Sequence, residues 1–384
     1  MTTTNDEPGA VTLTVGVPTE VKEDERRVAL TPDGVREMES HGVEVLVQQG
    51  AGLGASIPDQ AYLNAGAELV AGAEEVWARA GMVVKVKEPQ ADELPFLRPD
   101  LTLFTYLHLA AYPKVATALC EAGTTGIAYE TVMRADGALP LLAPMSEVAG
   151  RLAVQAGARF LEAPQGGRGV LLGGAPGVSP ARVVVIGAGN VGWNSAWIAA
   201  GMEAEVNLLD KDLDRLRFVD QIHKGRITTL ASNRGTVERC IAEADLVIGA
   251  VLVAGGRAPV VITEAMVATM KPGAVIVDVA IDQGGCVATS RETTHHDPTY
   301  VVHGVVHYCV GNMPGAVPAT STVALTNATL PYLVEVAVHG ATEACRRDPA
   351  LAPGLNTEAG QVVNAVVAEA LGVPAGMPSH RVAT

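Results

Sequence analysis

The sequence predicts an α/β protein of two domains, each built on a mainly parallel, doubly wound sheet. Three observations predict this. Short Val-rich runs alternate with Ala-rich helical stretches almost from end to end, the pattern of repeated βα units. At 384 residues the chain is long for one hydrophobic core and suits two. Apolar residues make up 48% of it, charged residues 18% and aromatics only 4%. The cores must therefore be built from Val, Leu, Ile and Ala, which fits small strands packed on Ala-rich helices.

In chain order, strands are expected at 11–18 (VTLTVGVP), 44–48 (EVLVQ), 82–87 (MVVKVK), 101–107 (LTLFTYL) and 125–130 (TGIAYE). Between them, 32–42 and 114–123 carry apolar residues at helical spacing and end in glycine, a frequent helix stop. A long amphipathic helix is expected over 145–163. The glycine-dense loop 164–180 then reads as the crossing into a second domain. That domain opens with ARVVVIGAGNVG (181–192) and continues with strands at 205–210, 244–251, 273–280 and 305–310. The stretch 320–347 and the Ala/Val-rich remainder read as helical, returning to the first domain because the second sheet has strands enough. The expected division is 1–140, 141–318 and a helical C-terminal segment 319–384.

Charge and cysteine usage exclude several function classes. With 27 basic and 42 acidic residues, the net charge is −15. A protein so acidic repels phosphate backbones, and no Lys/Arg run overrides this, so no nucleic-acid partner is expected. The five cysteines (120, 240, 286, 309, 345) are scattered and never form a C-x-x-C pair. They read as reduced thiols of a cytoplasmic protein, neither a disulfide framework nor a zinc site. The first ten residues lack the basic and apolar regions of a signal peptide and read as a loose tail. Apolar runs such as LVIGAVLVAGG stop near eleven residues, short of the ~20 that a membrane span needs.

The sharpest motif is Gly187-x-Gly189-x-x-Gly192, directly after an apolar strand and before a helix, with Asp210 closing the next strand. Each part has a mechanical reason. The first Gly makes the tight turn, the second lets a pyrophosphate approach the backbone, and the third lets helix and strand pack closely. The helix N-terminus then meets the phosphate charge. Gly-rich turns also occur without a nucleotide, but strand, helix and an acidic residue in register make this a Rossmann fingerprint. Asp210 would accept from ribose hydroxyls and repel a 2′-phosphate, which favours NAD; Lys211 beside it pulls the other way.

Ligands in open α/β sheets sit outside the carboxyl ends of the strands, and four ionisable residues fall there. Arg27 lies in the loop after the first strand, Lys87 closes VVKVK, His108 closes LTLFTYLH and Asp282 follows AVIVDVAI. Each has an ordinary alternative. Arg27 could be a surface charge beside Arg26, and Lys87 could share a solvated edge with Lys85. His108 could be a core histidine, and Asp282 could cap the next turn. Ser146 and Glu147 could simply start the long helix.

The segments GVPTEVKEDERRVALTP, VKVKEP, LFTYLHLAA, GALPLLAPMSEVAGRLAVQAGA, GGRGVLLGGAPGV, VIVDVAIDQGGC, GNMPGAVPATST and ALTNATLPY occur in order from about residue 13 to about 373. Together with the glycine fingerprint they resemble the L-alanine dehydrogenase family. The resemblance implies reversible NAD-dependent oxidative deamination of L-alanine to pyruvate and ammonium. It also implies a discontinuous substrate domain, a middle Rossmann domain for NAD with the active site in the cleft between them, and a homo-oligomer, usually a hexamer. Arg27 and Lys87 match the residues that hold the substrate carboxylate and keto oxygen, His108 the acid/base and Asp282 the second catalytic group. Around the cofactor, the resemblance places Ser146, Gly187, Gly189, Asn190, Val191, Gly192, Asp210, Arg215, Ser232, Val251 and Leu252. It adds Val279, Ala280, Ile281, Arg291, Val310, Gly311, Asn312 and Met313. No metal is expected, although Glu335 and His339 share a helix face where some relatives carry magnesium. Competing readings are the NAD-binding subunit of a transhydrogenase, an opine-type reductive aminase and a non-enzymatic NAD sensor.

Overall fold

The computed structural model describes residues 13–251 and 258–376. They fall into two compact units, Met1–Met145 with Val317–Thr384, and Ser146–Ala316. The strands are β1 (Val15–Val17), β2 (Val45–Gln48), β3 (Glu68–Val70), β4 (Met82–Val84), β5 (Thr102–Thr105) and β6 (Thr125–Ala128). They continue as β7 (Arg182–Ile186), β8 (Glu205–Asp210), β9 (Thr228–Ala231), β10 (Leu246–Gly249) and β11 (Val275–Asp278). The last four are β12 (Thr299–Val302), β13 (Val305–Tyr308), β14 (Leu355–Glu358) and β15 (Gln361–Val362).

The first unit holds an eight-stranded sheet in the order β15-β14-β6-β5-β4-β1-β2-β3. Strands β6 to β3 run parallel, and β14 joins β6 antiparallel. The second unit holds seven strands in the order β12-β13-β11-β10-β7-β8-β9, parallel except at the β12–β13 edge. Both sheets thus reverse strand order beside their first strand, at β1/β4 and at β7/β10. At such switch points the loops diverge and leave a crevice. The strands are buried on both faces, β1 and β4 throughout, because helices cover each side; this explains why they read as Val runs without alternation.

The core of the first unit gathers Trp77, Val83, Leu103, Leu107, Leu119 and Ala128 with Val362 and Val367, so the C-terminal segment completes it. In the second unit, one layer around Val183, Val185, Leu208, Leu246 and Val275 and another around Val184, Ile186, Val247 and Ile276 sandwich the sheet.

Several expectations need correction. The strands are shorter than the apolar runs, so Lys87 and His108 each lie three residues past a strand end (β4 and β5), in the loops that follow. Residues 11 and 12 of the first expected strand lie outside the described residues, as do the N-terminal tail and Leu252. The C-terminal segment is not wholly helical, since β14 and β15 form a hairpin there. Its two turn residues, Ala359 (φ 48°) and Gly360 (φ 80°), both adopt the left-handed conformation. His303 (φ 51°) and Gly304 (φ 75°) do the same between β12 and β13. Two positive φ values are what a tight two-residue hairpin requires, but Ala-Gly and His-Gly lack the usual Asn-Gly or Asp-Gly signal. Edge strands β3 and β9, partly exposed, gave no apolar run to read.

Candidate active site

In the first unit, Arg27, Lys87 and His108 follow β1, β4 and β5, three neighbouring strands, at their carboxyl ends. Arg27 is no surface charge: it is only 2% exposed. Its Nε donates to Glu25 Oε1 (2.7 Å), its Nη2 pairs with Glu25 Oε2, and its Nη1 reaches Met145 Sδ at 3.0 Å. Burial by itself pushes the Glu25 carboxyl up, but the hydrogen bonds and charge of Arg27 outweigh it and hold the group at about 2. Arg27 is driven the other way, above its ordinary value: burial opposes its charge and Glu25 more than restores it. A planar guanidinium fixed along its Nε–Nη2 edge keeps its other edge in one orientation, as recognition of a carboxylate requires.

The shared-edge alternative for Lys85 and Lys87 fails, because the two lysines occupy different environments. Lys85 is fully buried between Glu93 (2.7 Å) and Glu20 (3.1 Å). Glu20 also accepts from the N–H groups of Val86 (2.5 Å) and Lys87 (3.4 Å), and Thr105 Oγ1 donates to the Lys87 carbonyl (2.9 Å). The Lys87 backbone is thereby pinned from both sides while its side chain is half-buried. Burial, then the charges of Arg27 and Lys22, lower the Lys87 pKa. Among the described residues, no carboxylate lies within 4 Å of its amine. It is a poorly compensated cation beside a buried arginine, and an anionic ligand would relieve it.

His108 is half-buried, with a backbone φ of 46°, and its ring lies 5.6 Å from that of Tyr106. Neither imidazole nitrogen has a hydrogen-bond partner among the described residues, so this is not a core histidine satisfied by a neighbour. Its N–H donates to Glu130 Oε1 at 2.6 Å. Tyr106 itself is tied down by a 2.6 Å hydrogen bond to the Leu141 carbonyl.

The second unit carries groups of a different kind. Gly187 turns sharply at φ 104°, where a Cβ would meet the Ala250 carbonyl oxygen at 2.5 Å. At Gly192 a Cβ would overlap the Gly187 carbonyl oxygen. Gly189 differs: its φ of −75° suits any residue, and the nearest atom to a Cβ there is Arg215 Nη1 at 3.8 Å. Nothing in the protein requires glycine at 189, so a ligand approaching the backbone there is the physical reason for it. The helix Asn190–Gly201 starts with no side-chain cap, leaving its first N–H groups to an external acceptor. It is seated against the helix Ala143–Phe160, whose Gly150 accepts from Ser195 Oγ (2.9 Å). Asp210 ends β8 and accepts from Ala188 N (2.5 Å) and Asp212 N (2.8 Å). Arg215 Nη1 lies 4.0 Å from it. These residues fit a dinucleotide: an open glycine, unfilled helix donors and an acceptor one strand away.

The other expected cofactor residues line the strand ends of the same sheet. Ser232 follows β9 and donates its N–H to the Asp210 carbonyl (2.8 Å), and Val251 follows β10. Val279, Ala280, Ile281 and Asp282 form a 3-10 turn (Val279–Gln283) after β11, with Asp282 exposed. Val310, Gly311, Asn312 (φ 58°) and Met313 follow β13. Arg291 is exposed, its guanidinium 4.1 Å from the centre of the Tyr300 ring. Ser146 lies in the first turns of the helix Ala143–Phe160.

The aspartate that caps the turn Val279–Gln283 is Asp278, which interrupts no pattern in the sequence. Fully buried, Asp278 accepts from the N–H groups of Ala280 (3.2 Å), Cys286 (3.0 Å) and Val287 (3.2 Å). Burial raises its pKa against these bonds. Its signal was its place as the last residue of VIVD, where a buried strand end leaves loop N–H groups without partners. Glu25, Glu20 and Glu130 were missed for the same reason: they face the backbone and side chains of the expected residues. Glu335 and His339 lie 3.7 Å apart, with Arg347 also on Glu335 at 3.4 Å. All five cysteines are free.

Comparison with known proteins covers nearly the whole chain. The family model "Alanine dehydrogenase/PNT, N-terminal domain" matches residues 16–149, and the corresponding C-terminal domain matches 153–365. The chain is 57% identical over 367 residues to an alanine dehydrogenase of Mycobacterium tuberculosis, covering 96% of this chain and 99% of that protein. A solved L-alanine dehydrogenase superposes with a TM-score of 0.91 at 50% identity, covering 94% of this chain and 99% of that one. A transhydrogenase from Sinorhizobium meliloti superposes less well, with a TM-score of 0.78 at 26% identity over 92% and 99% of the two chains.

Proposed function

The chain belongs to the alanine dehydrogenase/PNT family, and on that footing we propose that it catalyses the reversible NAD-dependent oxidative deamination of L-alanine to pyruvate and ammonium. The observation that carries this reading is the set of Arg27, Lys87 and His108 in the loops that follow three adjacent strands, a buried arginine and an uncompensated lysine with a histidine whose ring nitrogens have no partner among the described residues. NAD, when bound by the glycine loop and Asp210, supplies the acceptor for the substrate hydride.

Arg27, held by Glu25, takes the substrate carboxylate, and Lys87 takes the keto oxygen. Together they fix the Cα position, and such positioning lowers the barrier to reaction. Alanine reacts with its amine unprotonated: as the Cα hydride leaves, the amine becomes an iminium, and water adds to that carbon to give a carbinolamine. His108 takes the proton of the attacking water, passes it to the nitrogen, then takes the carbinolamine hydroxyl proton as the carbonyl forms and ammonia departs, and gives that proton up to yield ammonium, a task suited to imidazole near neutral pH. The family resemblance gives Asp282 the part of a second catalytic group. The lowered pKa of Lys87 lets it share a proton with the oxygen that forms. Assembly as a homohexamer and a cytoplasmic location are further parts of the proposal, supported by the family resemblance and by the reduced cysteines.

The test follows NADH absorbance with alanine and NAD, then with pyruvate, ammonium and NADH. Turnover is expected in both directions, and its absence overturns the reading. His108→Ala should slow both by about 100- to 10,000-fold while leaving NADH binding intact; near-normal turnover removes His108 from the mechanism.

A further inference from the structure

His108 occupies a left-handed backbone conformation that few non-glycine residues adopt. Its φ is 46°, and its carbonyl already starts the next turn by accepting from Ala111 (2.8 Å) and Tyr112 (3.1 Å). A histidine in the left-handed region is strained relative to an extended one. With β5 ended at Thr105, the N–H groups of Leu107 and His108 have no strand carbonyl to meet. One side chain satisfies both. Glu130 Oε2 accepts from Leu107 N (3.3 Å) and Oε1 from His108 N (2.6 Å).

The sheet brings Glu130 to this place. Strands β5 and β6 pair in parallel with Thr105 opposite Ala128. Glu130, two residues beyond Ala128, therefore emerges level with Leu107, two beyond Thr105, and next to His108. Glu130 lies in the 3-10 turn Tyr129–Thr131 directly after β6. Its carboxylate spends both oxygens on backbone donors.

We infer that Glu130 is the positioning residue of His108: its carboxylate clamps two consecutive backbone N–H groups and so locks the left-handed conformation that aims the imidazole at the substrate. The inference rests on the alanine-oxidising reading above, and its chemistry is indirect. Glu130 moves no proton; it fixes where the proton-moving ring stands.

Two measurements test this, the first kinetic. Glu130→Ala should lower kcat for alanine about 100-fold, the scale of a misplaced catalytic group, with the KM for pyruvate nearly unchanged because Arg27 and Lys87 are untouched. Glu130→Gln, which keeps an acceptor oxygen, should recover most of that loss and keep the wild-type pH profile. A Glu130→Gln variant as slow as Glu130→Ala, or one that loses a limb of the profile, would make Glu130 a proton-transfer group and overturn the inference. The double variant Glu130→Ala/His108→Ala should be no slower than His108→Ala alone.

The second measurement is thermal unfolding and needs no activity. Glu130→Ala should lower Tm in the wild-type background and clearly less in a His108→Gly background, since glycine takes φ 46° unaided. If Glu130→Ala fails to fold while the double variant with His108→Gly folds, the inference stands. An equal fall in both backgrounds, or failure of both to fold, overturns it. An active wild type with an unaffected Glu130→Ala sinks this inference alone, whereas an inactive wild type sinks the functional reading.

Discussion

Replacing Glu25 with Gln removes the charge that holds Arg27 and leaves its shape almost unchanged. Glu25 keeps its charge in the folded protein down to about pH 2, against an ordinary value of 4.5. In the unfolded chain it takes up a proton near 4.5. The folded state is therefore favoured by the full difference at any pH above 4.5, and loses that advantage as the pH falls from 4.5 to 2. The difference corresponds to about 3 kcal/mol at pH 7. No discount for solvent is needed, since the two side chains are 2% and 0% exposed. Breaking a buried pair by removing one partner gives the same figure independently, about 3–5 kcal/mol, because a buried guanidinium is left uncompensated.

For a unit of this size, 3 kcal/mol should lower Tm by about 6–12 °C at pH 7. At pH 3 wild-type Glu25 is already giving up its contribution, and the gap should narrow to about 1–1.5 kcal/mol. The assay is thermal unfolding of Glu25→Gln and wild type side by side at pH 7, 5, 4 and 3, with pyruvate KM measured at pH 7. KM should rise at least tenfold, because a guanidinium no longer fixed along one edge presents the other in many orientations. A shift in Tm below about 2 °C at pH 7, or a gap that does not shrink with acid, refutes the argument that Glu25 stabilises and aims Arg27.

The two glycines of the dinucleotide loop should respond oppositely to alanine. Gly189→Ala should leave Tm within about 1 °C, because its φ and surroundings admit a Cβ, yet weaken NADH binding in a fluorescence titration at least tenfold. Gly192→Ala should lower Tm, because the new Cβ overlaps the Gly187 carbonyl and overpacking of this kind costs about 1–3 kcal/mol. Asp210→Asn keeps an acceptor for Ala188 N but removes the charge that repels a 2′-phosphate. The ratio of kcat/KM for NADH over NADPH should fall at least tenfold, and an unchanged ratio would take cofactor choice away from Asp210. Asp278→Asn turns an amide NH2 toward backbone donors, and a buried N–H left unsatisfied costs about 1–3 kcal/mol. Both Tm and kcat should drop, the latter because the turn carrying Asp282 loosens; an unaltered Tm would show that the carboxylate is not the cap.

What could be read from the sequence and what could not follows a physical division. Periodicity and glycine spacing report on the backbone and on what lies next to it in the chain. The βα alternation, the fingerprint at Gly187–Gly192 and the polar residues just past the strands were therefore legible. Arg27, Lys87 and His108 could be picked out because a cation or imidazole after a Val-rich run interrupts a local pattern. Their partners interrupt nothing. Glu25, in EDERR, looks like one more charge in a solvated loop, yet it is buried against Arg27. Lys85 looked like Lys87, two residues away, until Glu20 and Glu93, 65 positions before and 8 after it, closed on it. Glu130 sits 22 residues from His108, a separation set by the length of one helix and one strand, to which no local pattern responds. Such groups become visible only once parallel register places two loops at the same height, because what they satisfy is backbone N–H groups that the end of a strand leaves bare. In these sheets the need recurs: Glu20 meets it after β4, Glu130 after β5 and Asp278 after β11. An acidic residue within a few positions of a neighbouring strand's end is thus the place to look for the residue that aims a catalytic one.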